Sequence, residues 1–334
     1  MKNKYILWIL IAVIIAGIGY WYWYENVRII KISRGTPRGT VTEMKYIIMK
    51  HFGLDKKHGL DIDFPVFDPG ELERRFFSGE TGGLGGMSPL VASKANLEDK
   101  KVRILSAELQ MNYYIAVRND SNIRTLEDLK GKRVGVLPKA TAAYSSLALI
   151  LLHVGINPDT DLSLTFGPIP EMVKLVREGR ADAAMVSYPT AASLFASGEF
   201  RFVADLEKIW EESHNTSHPF VVMVAFEDWL RVKENRRTVK RFVEASNETA
   251  QLIKDTPELL TDESIPGIKE FLEKNGLNSE ETKKLLRENA PEFIYSEWGE
   301  KEVEAVGVLL SHAKEESLLP ADAPDDIIIG PSEL

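Results

Sequence analysis

Cysteine is absent from the 334 residues, which excludes disulfides, thiolate nucleophiles, cysteine-ligated zinc and iron–sulfur clusters. The same absence removes the lipid-modified cysteine that anchors many exported bacterial proteins. Positive charge is also short: 41 Lys and Arg against 50 Asp and Glu leave a net charge of −9, and the basic residues are interleaved with Glu. A nucleic-acid partner is therefore not expected, because phosphate neutralisation needs a basic face. Glutamine occurs only at Gln110 and Gln251, a scarcity that hints at a hot habitat. No Gly-x-Gly-x-x-Gly opens a helix, and Gly131-Lys132 is followed by Arg133 where a phosphate-binding loop needs Ser or Thr. Of the six histidines, His214 and His218 stand four apart, but Asn215-Thr216-Ser217 and Pro219 mark a loop. No metal, cofactor or catalytic set is expected from this pattern.

What is present begins with 20 uncharged residues, Tyr5 to Tyr24, which would span about 30 Å as a helix. Lys2 and Lys4 precede the run and Tyr20-Trp21-Tyr22-Trp23-Tyr24 closes it, as an interfacial aromatic belt would. Residues 1–26 are therefore expected to form a transmembrane anchor, with 27–334 outside the cell. A cleaved signal peptide is the alternative, although Gly17-Ile18-Gly19 makes a poor cleavage site. Three glycosylation sequons, at Asn119, Asn215 and Asn247, are compatible with an external location.

From Val27 onward, short apolar segments alternate with amphipathic ones, the pattern of α/β sheets. Strands are expected over 27–33, 61–66, 83–87, 102–107, 113–118, 133–137, 162–166, 183–187 and 220–226. Thr40-x-x-Glu43 reads as a capping box with Gly53 after the helix, and long helices are expected over 238–254 and 300–316. Pro170 and Pro189 suit first helical turns. Residues 71–93 and 171–193 repeat at an offset of 100, matching Glu, Gly, Pro, Ala and Ser. Each copy reads helix, glycine, strand of small residues, sharp turn, proline-started helix. Two lobes built alike follow, with 113–220 inserted into a first lobe made of 27–112 plus 221–334.

In open α/β sheets, ligands bind beyond the carboxyl ends of strands, against helix N-termini. Four loops meet that description: Arg34 to Gly39, Gly86 to Pro89, Pro138 to Tyr144, and Ser187 to Thr190. The candidate ligand contacts are Thr36, Arg38, Gly86, Met87, Ser88, Thr141, Ala142, Tyr144 and Tyr188. They offer hydroxyls, small residues that admit backbone approach, aromatic and thioether surfaces, and in Arg38 a cation for an anionic ligand. Tyr113 joins them as the candidate from the pair Tyr113-Tyr114, since strand alternation sends only one of the two toward the cleft; core packing of both is the alternative.

The stretch from Tyr114 to Val136, with Leu126-Glu-Asp-Leu-Lys-Gly-Lys132 at its centre, resembles a hinge strand and its following phrase in a known group. Gly59-Leu-Asp-Ile-Asp63 and the ending from Leu319-Pro320 to Gly330 are similar to further phrases of that group. It is the type II periplasmic-binding-protein family of ABC importers for nitrate, sulfonate, taurine and thiamine precursors. The resemblance covers 27–334. It implies a two-lobed fold of mixed, mostly parallel sheets flanked by helices, and a small-molecule solute held between the lobes. It further implies delivery to an ABC permease and its ATPase, with no catalysis. Small anion, sulfonate and heterocyclic precursor all suit such loops, and a membrane-tethered sensing domain for a signalling partner is the alternative. Where that family often shows Asp-[Ile/Val]-Gly before its third strand, Thr81-Gly82-Gly83-Leu84-Gly85-Gly86 departs. Some thiamine-precursor relatives are cysteine-dependent enzymes, and this chain lacks the residue they need.

Overall fold

The computed structural model describes residues 13–15, 28–98, 100–139 and 141–333. The expected membrane segment therefore lies outside the described residues, save for 13–15, which are helical and exposed. Among the described residues no helix is long and apolar enough to cross a membrane.

Period-two patterning produces the strands, in chain order β1 (Ile30–Ser33), β2 (Thr36–Pro37), β3 (Leu60–Asp63), β4 (Val66–Phe67), β5 (Leu84–Met87) and β6 (Val102–Gln110). There follow β7 (Tyr113–Arg118), β8 (Arg133–Val136), β9 (Ser163–Phe166), β10 (Ala183–Ser187), β11 (Phe200–Asp205) and β12 (Pro219–Phe226). β7 to β11 make one five-stranded sheet in the order β11-β7-β10-β8-β9. β5-β12-β6 form a three-stranded sheet, and β1–β3 and β2–β4 pair separately.

The sheets are mixed, but the expectation of mostly parallel strands needs correction: parallel and antiparallel pairings are equal in number among the described residues. The antiparallel pairings gather on the two strands that follow the passages of the chain between the sheets: β7 runs antiparallel to both its neighbours, and β12 does the same in its own sheet. The two passages of the chain between the sheets lie side by side, the Met111 N–H donating to the His218 carbonyl at 3.0 Å. The C-terminal tail returns along β6, where the Ile104 N–H donates to Ile327 and the Ile329 N–H to Ile104.

Helices cover these sheets for legible reasons. Helix Ala142–His153 is apolar on nearly every side and is accordingly buried, with Leu147, Leu149, Ile150 and Leu151 all at or below 1% exposure. Helix Ile169–Arg177 buries Met172, Val173, Leu175 and Val176, carries Pro170 in its first turn and gives way to Gly179 at φ +69°. The repeat at an offset of 100 corresponds to the same succession of elements: helices Pro69–Phe77 and Ile169–Arg177, strands β5 and β10, helices Pro89–Leu97 and Thr190–Ser197. The glycines of β5, and Gly83 just before it, have a packing cause. A β-carbon would stand 2.3 Å from Trp229 at Gly83, 2.5 Å from Phe76 at Gly85 and 2.8 Å from the Arg34 guanidinium at Gly86.

Candidate functional site

Between the five-stranded sheet and the strands β1, β5, β6 and β12 lies a partly enclosed cavity of about 90 Å³. That volume holds several waters or a small organic ion. Three capped helices open on it. Thr40 caps helix Val41–His51 by accepting from the Glu43 N–H at 3.4 Å. Ser88 caps Pro89–Leu97 by accepting from Val91 at 3.2 Å, and Thr141 caps Ala142–His153 by accepting from Tyr144 at 3.3 Å. The expected capping box is offset by one residue, since Glu43 accepts from Gly39 rather than from Thr40.

The structure places Gly86, Met87, Ser88, Tyr113, Thr141, Ala142 and Tyr188 together on the cavity wall. Tyr113 faces it while Tyr114, on the opposite face of β7, stacks on Phe202 at 4.8 Å between centroids. Burial pushes the Tyr113 phenol up to about 12, and its hydroxyl bonds to Ser187.

Three expected residues stand elsewhere. Arg38 is exposed and pairs with Asp68 at 3.1 Å. Thr36 is buried on the other side of β2, against a separate cleft with Tyr46 and Phe64, because alternation turns Gly35 and Pro37 toward the cavity instead. Tyr144 follows the cap but is buried away from the cavity wall, its hydroxyl donating to Asp159 at 3.1 Å and its ring edge-on to Phe166.

Several wall residues were not among the candidate contacts: Arg34 and Ser187, which lie in two of the expected loops, and Glu73, Glu108 and Asn112, which lie outside them. Arg34 is 1% exposed and donates to both the Tyr46 hydroxyl and the Glu108 carboxylate, while the Tyr46 hydroxyl donates to Glu108 at 2.9 Å. Burial works against the Arg34 cation, but Glu108 and Tyr46 outweigh it and its pKa is raised. The pair thus adds no net charge to the wall. Glu73 is half-buried with no hydrogen-bond or ion-pair partner among the described residues, and desolvation pushes its carboxyl up to about 7. Alternation along β1 makes Arg34 legible in retrospect, since Ile30, Ile32 and Arg34 share a face. The cation for this region was sought four residues too far along.

The arrangement can hold a small solute by backbone N–H groups and hydroxyls, with Leu72, Met87, Leu137, Tyr188 and Phe220 for its apolar part. Solved structures share the architecture. The alkanesulfonate-binding protein SsuA of Xanthomonas axonopodis pv. citri, bound to MOPS, superposes with a TM-score of 0.67 at 16% identity over 90% of this chain and 99% of that one. The periplasmic aliphatic sulphonate binding protein SsuA of Escherichia coli gives 0.66 at 16% identity, over 88% and 94%. At such identities the likeness shows the fold, that of type II periplasmic binding proteins. A protein of Brucella abortus, named only as a binding protein, is 26% identical over 249 residues, covering 71% of this chain and 74% of that one. Residues 54–250 match the family model described as ABC transporter, phosphonate, periplasmic substrate-binding protein, and the chain belongs to that family of non-enzymatic solute-binding proteins.

Proposed function

We propose that this chain captures a small organic oxyanion, a sulfonate or phosphonate, in the 90 Å³ cavity and hands it to an ABC permease driven by its ATPase. The observation that carries the reading is the convergence of capped helix N-termini from both sides of one cavity. Such termini present free N–H groups and a partial positive charge, so an anion needs no unpaired cation there. Arg34 is committed to Glu108, which suits recognition by dipoles rather than by a net charge. Glu73, near half protonation at neutral pH, donates a hydrogen bond to the anion when protonated. The family description and the sulfonate-binding structures support the solute class.

Capture works by closure of two lobes, 27–112 plus 221–334 and 113–220, about the paired passages at Met111 and His218. A solute touching both lobes favours the closed state through contacts that exist only there. Residues 1–26 tether the protein to the outer face of the membrane, a reading that rests on the uncharged run 5–24 and the aromatic cluster after it. Calorimetric titration with a panel of alkyl sulfonates and phosphonates tests the capture reading. One equivalent bound by a member of the panel is expected, and a panel that gives no binding contradicts the solute class. Protease treatment of intact cells tests the tether: the folded part is expected to be lost, and its full protection contradicts external placement.

A further inference from the structure

Far from the cavity, three histidines converge that lie 61 and 98 residues apart in sequence. One ligand-capable nitrogen from each of His153, His214 and His312 falls within 4.8 Å of the others. Their ring centroids are 4.6 to 4.9 Å apart. His153 is the last residue of helix Ala142–His153, His214 the last of helix Leu206–His214, and His312 lies near the end of helix Glu300–Glu315. All three are thus near helix C-termini, where partial negative charge favours a cation.

A second observation points to a ligand. His312 is 8% exposed, yet its Nε2 has no hydrogen-bond partner, so a buried polar atom of the cluster is left unsatisfied. The opposite nitrogen, Nδ1, sits 3.2 Å from the Glu315 carboxylate, and His214 Nδ1 sits 3.2 Å from the Trp210 carbonyl. In metal sites such contacts hold the outer nitrogen of each ligand and turn the inner one toward the ion. The Glu316 carboxylate, 3.8 Å from His312 Nε2, stands near a fourth position. His214 also borders a surface cleft of about 730 Å³ with Glu211 and Glu304, which gives an ion a route in.

We propose that His153, His214 and His312 bind one divalent transition metal of the zinc class, tying segment 113–218 to helix Glu300–Glu315. Three imidazoles select zinc, cobalt, nickel or copper over magnesium and calcium, which want oxygen ligands. Zinc at its usual bond length sets tetrahedral nitrogens ~3.3 Å apart, so modest side-chain rotation from the present spacing completes the site. The cluster also adjoins the return passage of the chain: Trp210 stacks on His214 at 3.8 Å and meets His218 edge-on at 5.0 Å. A bound ion therefore braces the seam between the two sheets, about 18 Å along the helix from Thr141.

Titration of the full chain with Co²⁺, read by visible absorption, and with Zn²⁺, read by calorimetry, tests the site. One equivalent of metal is expected, with a rise in Tm on saturation. His153 is exposed, so His153→Ala should fold; its affinity is expected to fall at least about 100-fold, and that of Glu315→Gln about 10- to 100-fold. His58→Ala, whose ring pairs with Glu248 instead, is expected to bind as the parent does. Absence of metal binding in the parent overturns the proposal. So does a His153→Ala protein that binds as tightly as His58→Ala, because the rings then pack as neutral neighbours only.

Discussion

The two ends of helix Ala142–His153 differ in every property that decides what binds there. At its start, Thr141 caps the helix on the wall of a cavity lined by hydroxyls, apolar side chains and a neutral Arg34–Glu108 pair. At its end, His153 meets His214 and His312 with a buried nitrogen left open. The helix dipole runs the same way through both, placing free N–H groups at the cavity and free carbonyls at the histidines. One element thus prepares an anion site and a cation site about 18 Å apart. The difference teaches that chemistry here follows helix polarity more than formal charge: the cavity has no unpaired cation among its described residues, and the histidine cluster lies in a chain with net charge −9.

Substitutions that hit one end and spare the other sharpen this contrast. The largest effect is expected from Glu108→Ala, which leaves Arg34 buried and unpaired at the cavity. Loss of about 3–5 kcal/mol in chemical denaturation is expected, while Co²⁺ uptake below the melting transition stays as in the parent. A loss under about 1 kcal/mol would mean that Arg34 finds water. Tyr188→Ala comes next, since the ring is 2% exposed, lies 5.1 Å from Phe293 and lines the cavity. It should cost about 3 kcal/mol of stability and weaken the solute; unchanged affinity would remove the ring from the site.

Glu73→Gln probes the cavity end through pH. The ordinary value is 4.5 and the folded value about 7, so the stability this carboxyl contributes is full below about 4.5 and lost as pH rises through about 7. Above pH 7 the ionised group also repels an oxyanion. With an alkyl sulfonate, whose charge is constant over this range, affinity is therefore expected to fall between pH 6 and pH 8 in the parent and to stay level in Glu73→Gln. A parent whose affinity is flat over that range would contradict the placement of Glu73 against the anion. The smallest effect belongs to Arg38→Ala: its ion pair with Asp68 is exposed, and less than about 0.5 kcal/mol is expected, with solute affinity unchanged. A clear loss of affinity would return Arg38 to the site.

Much of this was written locally and therefore readable. β7 and β10 fall on their expected bounds because each is a continuous apolar run between turn signals. The caps at Thr40, Ser88 and Thr141 follow from side chains that bond to their own helices. β11 escaped because its pairing with β7 shifts between Phe202 and Ala204, which breaks the alternation a strand is recognised by. At the site, loop membership located Ser88, Thr141 and Tyr188, but it could not separate Arg34 from Arg38, which differ only in where the strand's pleat sends them. The histidine cluster was illegible for a stronger reason. The visible pair, His214 and His218, is split by Asn215 at φ +53°, which ends the helix. The partners that do converge, His153 and His312, are set by helix packing alone.

The claim that a small oxyanion sits where the helix N-termini meet is tested most directly by the affinities of Ser88→Ala and Thr141→Ala, measured by calorimetry with the tightest member of the sulfonate and phosphonate panel. The two hydroxyls cap helices on opposite sides of the cavity and are 53 residues apart in sequence. Each substitution is expected to lower affinity about 2- to 12-fold in protein held well below its melting transition: Ser88→Ala by the worth of a neutral hydrogen bond, and Thr141→Ala, whose hydroxyl already donates to the Pro138 carbonyl at 2.7 Å, by loosening the helix terminus it caps. Variants that melt close to the parent and bind with unchanged affinity would contradict the account, because the solute would then lie outside the cavity that these two caps define.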